Sequence, residues 1–251
     1  MKKKIYPVVS IIFLLALWQL LVTIFHTPAF ILPSPLNVLS ALFADGATLV
    51  YHSLVTLEEA VIGLVIAALL SFVTAIAMDH WQIFKNSLYP LLVVSQTLPI
   101  MVLGPLLALW FGFGLFPKVI LVILMSYFPI VVAFSDGLSK VSSEQINFFK
   151  TMGANEWQLY RIIKIPQGSN DFFSGLKVAA TYCVSGAIVG EWLSAQAGLG
   201  YYMIRVKNSY QIDKVFAAIL CVIILSLLLN MLTVLLKKGY YYILYLSLIH
   251  I

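Results

Sequence analysis

Long apolar runs separated by short polar segments recur along the whole chain. About 20 residues of α-helix are needed to cross the ~30 Å hydrocarbon core of a bilayer. Six runs reach or approach that length, so the pattern predicts an all-α, polytopic membrane protein with six transmembrane helices. The predicted spans cover residues 5–25, 54–78, 88–111, 118–135, 172–189 and 215–236.

The composition agrees with a chain that lies in membrane lipid. Of its 251 residues, 62% are apolar and 10% are charged, whereas soluble domains carry about 25% charged residues. This balance excludes a secreted disulfide scaffold, a coiled coil and a disordered chain, and it makes nucleic acid an unexpected partner. Cys183 and Cys221 both fall in apolar runs without ligand spacing, and the four histidines are scattered. We therefore predict no metal site.

The distribution of Lys and Arg predicts the orientation of the spans. With the amino terminus inside, the inner segments hold 11 of the 15 cations and the outer segments hold 4. Cytoplasmic segments retain such an excess. We expect both termini to be cytoplasmic, with residues 136–171 as the largest cytoplasmic loop.

Two features inside the predicted spans suggest a path for a solute. The third span contains Pro99 among three prolines, and the fourth contains Pro129. Membrane helices tolerate proline where protein or a water-filled cavity satisfies the freed carbonyls, although such kinks can also serve packing alone. Glu58, Glu59 and Glu191 lie near the outer ends of their spans. They either reach interfacial water or line the outer mouth of a path.

The sequence contains no pattern of residues that is typical of an enzyme active site. No phosphate-binding Gly-x-x-x-x-Gly-Lys segment occurs, nor any Gly-Lys pair. We expect no catalytic residue and no cofactor bound by this chain, so any ATP that drives it is hydrolysed by another chain.

The predicted cytoplasmic loop contains two short helical stretches, with Gly153 as the break between them and Pro166 as the stop. Helical spacing puts Trp157, Tyr160, Ile163 and Lys164 on one face of the second stretch. This amphipathic pair suits the docking of a soluble partner. The alternative is a helix that lies on its own membrane surface.

This loop resembles the cytoplasmic signature of the permease subunits of ATP-binding-cassette (ABC) importers, the binding-protein-dependent inner-membrane component family. That signature reads E-A-A, three residues, G, nine residues, then I-x-L-P. Gly153, Ile163 and Pro166 match in register, while Asn147-Phe148-Phe149 occupies the E-A-A positions. Further landmarks follow the family's order: Leu98-Pro99, Gly104-Pro105-Leu106, Trp110 to Gly114, Phe128-Pro129, Asp136-Gly137 and Gly198 to Tyr201.

The resemblance implies a type I importer permease core over residues 31–238, with five transmembrane helices and the coupling loop 136–171. An extra amino-terminal transmembrane helix (1–30) precedes it. The tail 239–251 receives no function, and its last six residues resemble a translated sequencing adaptor. The residues implied to contact an ATPase are Asn147, Lys150, Gly153, Ala154, Glu156, Trp157, Ile163 and Pro166.

The implied partners are ABC ATPase subunits that use ATP and Mg²⁺, an external solute-binding protein, and a second permease copy, giving a homodimer in the bacterial plasma membrane. The segments 174–182 and 190–193 look most like permeases for thiamine-precursor pyrimidines. A permease for sulfonate, taurine or nitrate in the same family is the first alternative. A secondary transporter driven by an ion gradient is the second, and a membrane-embedded enzyme or assembly factor is the third.

Overall fold

The computed structural model describes residues 5–249, and every regular element in that range is helical. The elements in chain order are α1 (Ile5–Ile24), α2 (Pro35–Ala44), α3 (Gly46–His80), α4 (Gln82–Ser95), α5 (Ile100–Phe111), α6 (Leu115–Leu138), α7 (Ser143–Thr151), α8 (Glu156–Leu159), a π-helical segment (Tyr160–Lys164), α9 (Ile165–Ser194), α10 (Leu199–Asn208) and α11 (Ile212–Ile249). The predicted all-α membrane fold is confirmed.

Among the described residues, four helical stretches are long and apolar enough to cross a membrane: Gly46–His80, Leu115–Leu138, Glu156–Leu193 and Ile212–Leu246. The bent pair α4–α5 makes a fifth if it is one span. The first predicted span forms α1. Its apolar part, Val8–Ile24, is shorter than the four stretches named above. Residues 5–249 therefore contain four or five spans of full length, and the remaining predicted span, the first, corresponds to the shorter helix α1. The predicted count of six is compatible with the structure but is not reproduced by it.

The predicted third span, 88–111, is not one continuous helix. Helices α4 and α5 meet at an angle of 100° across the break formed by residues 96–99. Pro99 begins the second arm as the N-cap of α5, with an extended ψ of 114°. A proline fixes its own φ and keeps the preceding residue out of the helical region. The chain therefore changes direction here, whereas Pro90 and Pro105 lie inside their helices.

Pro166 does not stop a helix, so that prediction was wrong. The chain continues as helix from Glu156 through the π-helical segment into α9. A proline ring in a helix clashes with the carbonyl four residues earlier. The N–H of Ile165 donates instead to the carbonyl of Tyr160, five residues earlier. We attribute the continuity to this wider turn, which makes room for the ring.

The last helix also extends past its predicted end at residue 236. Helix α11 has 38 residues and runs without a break through Lys237 and Lys238 to Ile249. Tyr241 lies 3.0 Å from Ser169, hydroxyl to hydroxyl, so the first part of the predicted tail packs on α9. Residues 1–4, 250 and 251, which belong to the predicted first and last segments, lie outside the described residues.

The core lies between α3, α6, α9 and α11 and is built from small side chains. Ala179, Ala180 and Ala187 of α9 are fully buried, and such small residues allow membrane helices to approach each other closely. A side chain at Gly175 would meet the carbonyl of Pro129 at 2.5 Å, so α6 and α9 pack at backbone distance. Helices α3 and α9 run in opposite directions, and we name the two ends of this bundle the Asp79 end and the Glu191 end.

Candidate functional site

Helices α7 and α8 form a short hairpin at the Asp79 end, which we call the docking hairpin (residues 142–159). Each helix begins with a capping box, made by Ser142 with Gln145 and by Asn155 with Gln158. Gly153 turns the chain between them at a φ of +85°, a conformation that glycine adopts without steric cost. The predicted break at Gly153 is therefore present.

The outer face of the docking hairpin presents large apolar side chains to its surroundings. Phe148, Met152 and Trp157 are 61%, 71% and 69% exposed. The ion pair between Lys150 and Glu156 lies beside them, with an N–O distance of 2.9 Å. Contiguous exposed apolar surface with a charged rim is typical of a protein interaction site. Asn147 is exposed on the same hairpin.

Helical spacing predicted that Trp157, Tyr160, Ile163 and Lys164 share one face that is available to a partner. This prediction was wrong for Tyr160, Ile163 and Lys164. Tyr160 and Ile163 are each 6% exposed, and Ile163 packs with Val141 and Leu159 in a small apolar core that Ala154 also contacts. The reason is that α8 passes into the π-helical segment, which turns against the bundle. Only Trp157 of the four faces outward. Pro166 is half-buried.

Asp79 joins the π-helical segment to the end of α3, and sequence reasoning missed it. Its Oδ2 atom accepts hydrogen bonds from the Tyr160 hydroxyl at 2.7 Å and from Lys164 Nζ at 2.6 Å. The side chains of Asp79 and Lys164 are 8% and 15% exposed. The only signal in the sequence was an acid at the end of an apolar run, with no indication of its partner more than 80 residues away.

A cavity of about 390 Å³, which we call the central recess, lies beside the break between α4 and α5. Its lining residues are Ser95, Gln96, Leu98, Ile100, Leu103, Leu124, Met125, Phe128, Pro129 and Tyr182. Pro129 is thus part of the wall, and Pro99 lies between two lining residues. The lining contains no charged side chain. Gln96 and Tyr182, its principal polar groups, were not among the predicted site residues because both are neutral residues in apolar runs.

Two of the predicted acidic residues, Glu59 and Glu191, lie elsewhere, in a buried polar cluster toward the Glu191 end. Lys118 Nζ lies 2.6 Å from Glu59 Oε1, with side chains 9% and 2% exposed. Glu191, 2% exposed, accepts hydrogen bonds from the Thr56 hydroxyl at 2.6 Å and from the N–H of Gly200. These contacts join α3, α6, α9 and the start of α10.

Gly198 explains how the chain wraps around Glu191. Its φ is +112°, and a side chain there would collide with the Glu191 carboxylate. The N–H of Gly198 donates to His52 Nδ1 at 3.0 Å, and the N–H of Leu199 donates to Thr56 Oγ1 at 2.8 Å. Glu191 is therefore held by a built cradle of backbone and side-chain donors.

Two open recesses flank this cluster. Glu191 lines one of about 410 Å³, and Glu58, Glu59 and Lys118 line one of about 360 Å³. Glu58 is exposed. The predicted path residues thus fall into two places, the prolines at the central recess and the glutamates toward the Glu191 end. Within residues 5–249, no cluster of three or more His, Cys, Asp or Glu is arranged to hold a metal ion.

Asp45, between α2 and α3, ties two further elements together at the Glu191 end. Its Oδ2 atom lies 2.9 Å from Lys214 Nζ and accepts a hydrogen bond from the Tyr202 hydroxyl at 2.7 Å. Lys214, followed by Tyr202, holds the pKa of the Asp45 carboxyl below its usual range. Burial, reinforced by Asp45, raises the pKa of Tyr202 above its ordinary value.

Comparison with known proteins identifies the family. Residues 67–240 match the model of the binding-protein-dependent transport system inner membrane component family. A probable ABC transporter permease protein of Haemophilus influenzae is 35% identical over 88% of this chain and 90% of its own length. The formylaminopyrimidine transport permease protein ThiX of Halalkalibacterium halodurans is 33% identical over 88% and 89%. The riboflavin transport system permease protein RibX of Chloroflexus aurantiacus is 31% identical over 92% and 87%.

A solved structure supports the fold. The crystal structure of an amino acid ABC transporter with histidines superposes with a TM-score of 0.64 at 16% identity, over 79% of this chain and 96% of that one. The family match spans more than half of the chain, and the ordered landmarks of the sequence fall within the helical bundle. The chain therefore belongs to the binding-protein-dependent inner-membrane component family and is a permease subunit of an ABC importer.

Proposed function

We propose that this permease carries a small, uncharged heteroaromatic solute of the thiamine-precursor pyrimidine class through the central recess. The observation that carries the proposal is the chemistry of the lining. Phe128 and Tyr182 supply aromatic walls, and Ser95 and Gln96 supply a few hydrogen-bonding groups. Small-molecule sites commonly combine apolar and aromatic walls with a small number of polar groups. The relative named for formylaminopyrimidine transport supports the same class.

An anionic solute fits the lining less well. Sulfonate and nitrate are anions, and taurine is a zwitterion with an anionic sulfonate group. Each carries a charged group that is costly to bring into an apolar environment without a compensating charge or several hydrogen-bonding groups. The central recess offers no Lys or Arg. The buried Lys118 is occupied by Glu59. Transport of sulfonate, taurine or nitrate is therefore the alternative that the experiment below must distinguish.

A second copy of the chain completes the path in this proposal. The central recess opens to one side, where Gln96 is exposed and Tyr182 is 49% exposed. Apolar residues of α5, including Met101 and Val102, are also exposed beside it. A homodimer would enclose the recess between two bundles and remove it from lipid. The solute-binding protein would then deliver its cargo at the Glu191 end, where the open recesses lined by Glu58, Glu59 and Glu191 would form the outer mouth.

The docking hairpin receives the ATPase subunit in this proposal, with ATP and Mg²⁺ used entirely by that partner. Phe148, Met152 and Trp157 supply the apolar contact, and Lys150 with Glu156 supplies a charged rim. Both termini and the docking hairpin then lie on the cytoplasmic side, in accord with the excess of Lys and Arg there.

Uptake into proteoliposomes tests the solute class. The permease is reconstituted with its ATPase and binding protein, and uptake of a radiolabelled thiamine-precursor pyrimidine is compared with uptake of taurine and nitrate. We expect pyrimidine uptake alone, with Tyr182→Ala reducing it about tenfold, which corresponds to ~1.4 kcal/mol. Tyr6→Ala, at an exposed tyrosine of α1, is the matched control and should be unaffected. Uptake of taurine or nitrate without the pyrimidine would favour the alternative.

Binding of the ATPase tests the docking hairpin. Trp157→Asp places a charge in the apolar patch, and Gly153→Pro forces a φ near −65° where the chain has +85°. We expect both variants to insert and fold yet to lose co-purification with the ATPase. Tyr210→Asp, at an aromatic residue 75% exposed between α10 and α11 at the opposite end of the bundle, is the control for ATPase binding. Retained co-purification by the hairpin variants would contradict the docking assignment.

A further inference from the structure

The docking hairpin meets the membrane bundle through a buried polar junction at Asp79, in addition to its apolar core. One carboxylate oxygen receives both the Lys164 ammonium and the Tyr160 hydroxyl. Lys164 Nζ also lies 4.9 Å from the centre of the Tyr160 ring. The acid belongs to α3, while both donors belong to the π-helical segment that follows the docking hairpin. The junction therefore fixes two elements that are far apart in sequence.

Stability alone is a weak reason for such a junction. Buried ion pairs contribute little net stability, because the charges lose their hydration, and apolar residues of similar volume often do as well. A π-helical turn is likewise rare and often lies at functional sites. Here both occur at the same place. We take their coincidence as a sign that the position of the π-helical segment relative to α3 matters.

Helix α3 connects this junction with the opposite end of the bundle. Asp79 and Glu59 are 20 residues apart on one continuous helix, which corresponds to about 30 Å. Toward its other end α3 is fixed by two further buried contacts, Glu59 to Lys118 and Thr56 to Glu191. Because α9 carries both Glu191 and the continuation of the π-helical segment, α3 and α9 are joined by polar contacts at both ends.

We propose that Asp79 is a positioning residue for ATP-driven transport: it makes α3 follow the docking hairpin, so that a displacement imposed there reaches the Glu191 end. The inference rests on the proposed docking of an ATPase at the hairpin. Without the Asp79 contacts, the docking hairpin and its apolar core move without carrying α3 with them. ATP hydrolysis then continues, but less of the displacement reaches the Glu191 end, so less solute is transported for each ATP hydrolysed.

The test measures solute transported per ATP hydrolysed, in proteoliposomes that contain the permease, its ATPase and the loaded binding protein. Asp79→Asn and Lys164→Met should keep co-purification with the ATPase and lower this ratio about tenfold, a typical size for coupling between sites. Tyr160→Phe, which removes one hydroxyl and keeps the ring, should give a smaller loss. Lys164→Arg retains a cation and should restore most of the ratio.

Lys140→Met is the matched control. Lys140 pairs with Asp171 at the same end of the bundle at an N–O distance of 2.6 Å, but its side chain is 63% exposed and the pair does not involve α3. Its ratio should equal that of the unmodified protein. In a double-mutant cycle, Lys164→Met should have little further effect once Asp79→Asn is present.

A ratio equal to that of the unmodified protein in Asp79→Asn and Lys164→Met would overturn the inference, including when hydrolysis and transport fall in proportion. If either variant fails to fold, Tyr160→Phe decides, because its packing is preserved: an unchanged ratio overturns the inference and a lowered ratio supports it. Failure of the unmodified permease to bind the ATPase would instead refute the proposed function.

Discussion

Replacing Lys118 with methionine should destabilise the folded permease strongly. The ammonium of Lys118 is 2.6 Å from Glu59 Oε1, and the two side chains are 9% and 2% exposed. Methionine keeps much of the volume and removes the cation, which leaves a carboxylate in a buried site. The other oxygen of Glu59 has no hydrogen-bond partner among the described residues.

The expected loss is about 3–5 kcal/mol in the free energy of unfolding, the usual cost of removing one partner of a buried ion pair. Lys140→Met supplies the comparison, because its ion pair has the same N–O distance but is largely exposed. It should cost about 0–1 kcal/mol. The double variant Glu59→Leu/Lys118→Met removes both charges and should cost less than Lys118→Met alone.

Unfolding by sodium dodecyl sulfate in mixed micelles, followed by tryptophan fluorescence, measures these differences, since the chain contains five tryptophans. Lys118→Met should be the least stable of the variants, and the double variant should be closer to the unmodified protein. If the free energy of unfolding of Lys118→Met lies within about 1 kcal/mol of that of Lys140→Met, then the loss of Lys118 does not leave an uncompensated buried carboxylate, and the prediction is wrong.

Three further predictions concern the Glu191 end. Gly198→Ala should cost about 1–3 kcal/mol in backbone strain, plus the collision with Glu191, and lower the folded yield, whereas Gly46→Ala, with open space around it, should not. Asp45→Asn should cost about 0.5–1.5 kcal/mol at pH 7. Because the folded pKa of Asp45 is lowered, this stabilisation is complete above the unfolded pKa of ~4 and is lost as the pH falls through the folded pKa, so denaturant titrations should show a smaller difference at pH 3 than at pH 7. Glu191→Gln should lower solute uptake more than folded yield; normal uptake at every solute concentration would leave Glu191 with a structural role only.

The apolar runs predicted where the membrane helices lie, because burial in lipid requires about 20 apolar residues whatever their tertiary contacts. They did not predict where helices end. Helix α3 begins at Gly46 and α11 continues to Ile249, since backbone hydrogen bonds carry a helix beyond the apolar segment. The prolines of the third span indicated a break, but the 100° turn depends on tertiary packing that hydropathy does not contain.

The candidate sites were predicted where a short local pattern carries them. Gly153 and Trp157 belong to such a pattern, and the structure places them at the turn and on the exposed face of the docking hairpin. Asp79 and Tyr182 do not, because each depends on a neighbour that the fold brings close from another helix. The π-helical segment also altered the predicted face, since ordinary helical spacing assumes 3.6 residues per turn throughout.

The energy source of uptake distinguishes a permease of an ABC importer from a transporter driven by an ion gradient. Proteoliposomes that contain this permease with its ATPase and the loaded binding protein are assayed for solute uptake with and without internal ATP, and with a proton uncoupler. We expect uptake that requires ATP and persists in the presence of the uncoupler. Uptake that proceeds without ATP, or that the uncoupler abolishes while ATP is present, would contradict this expectation.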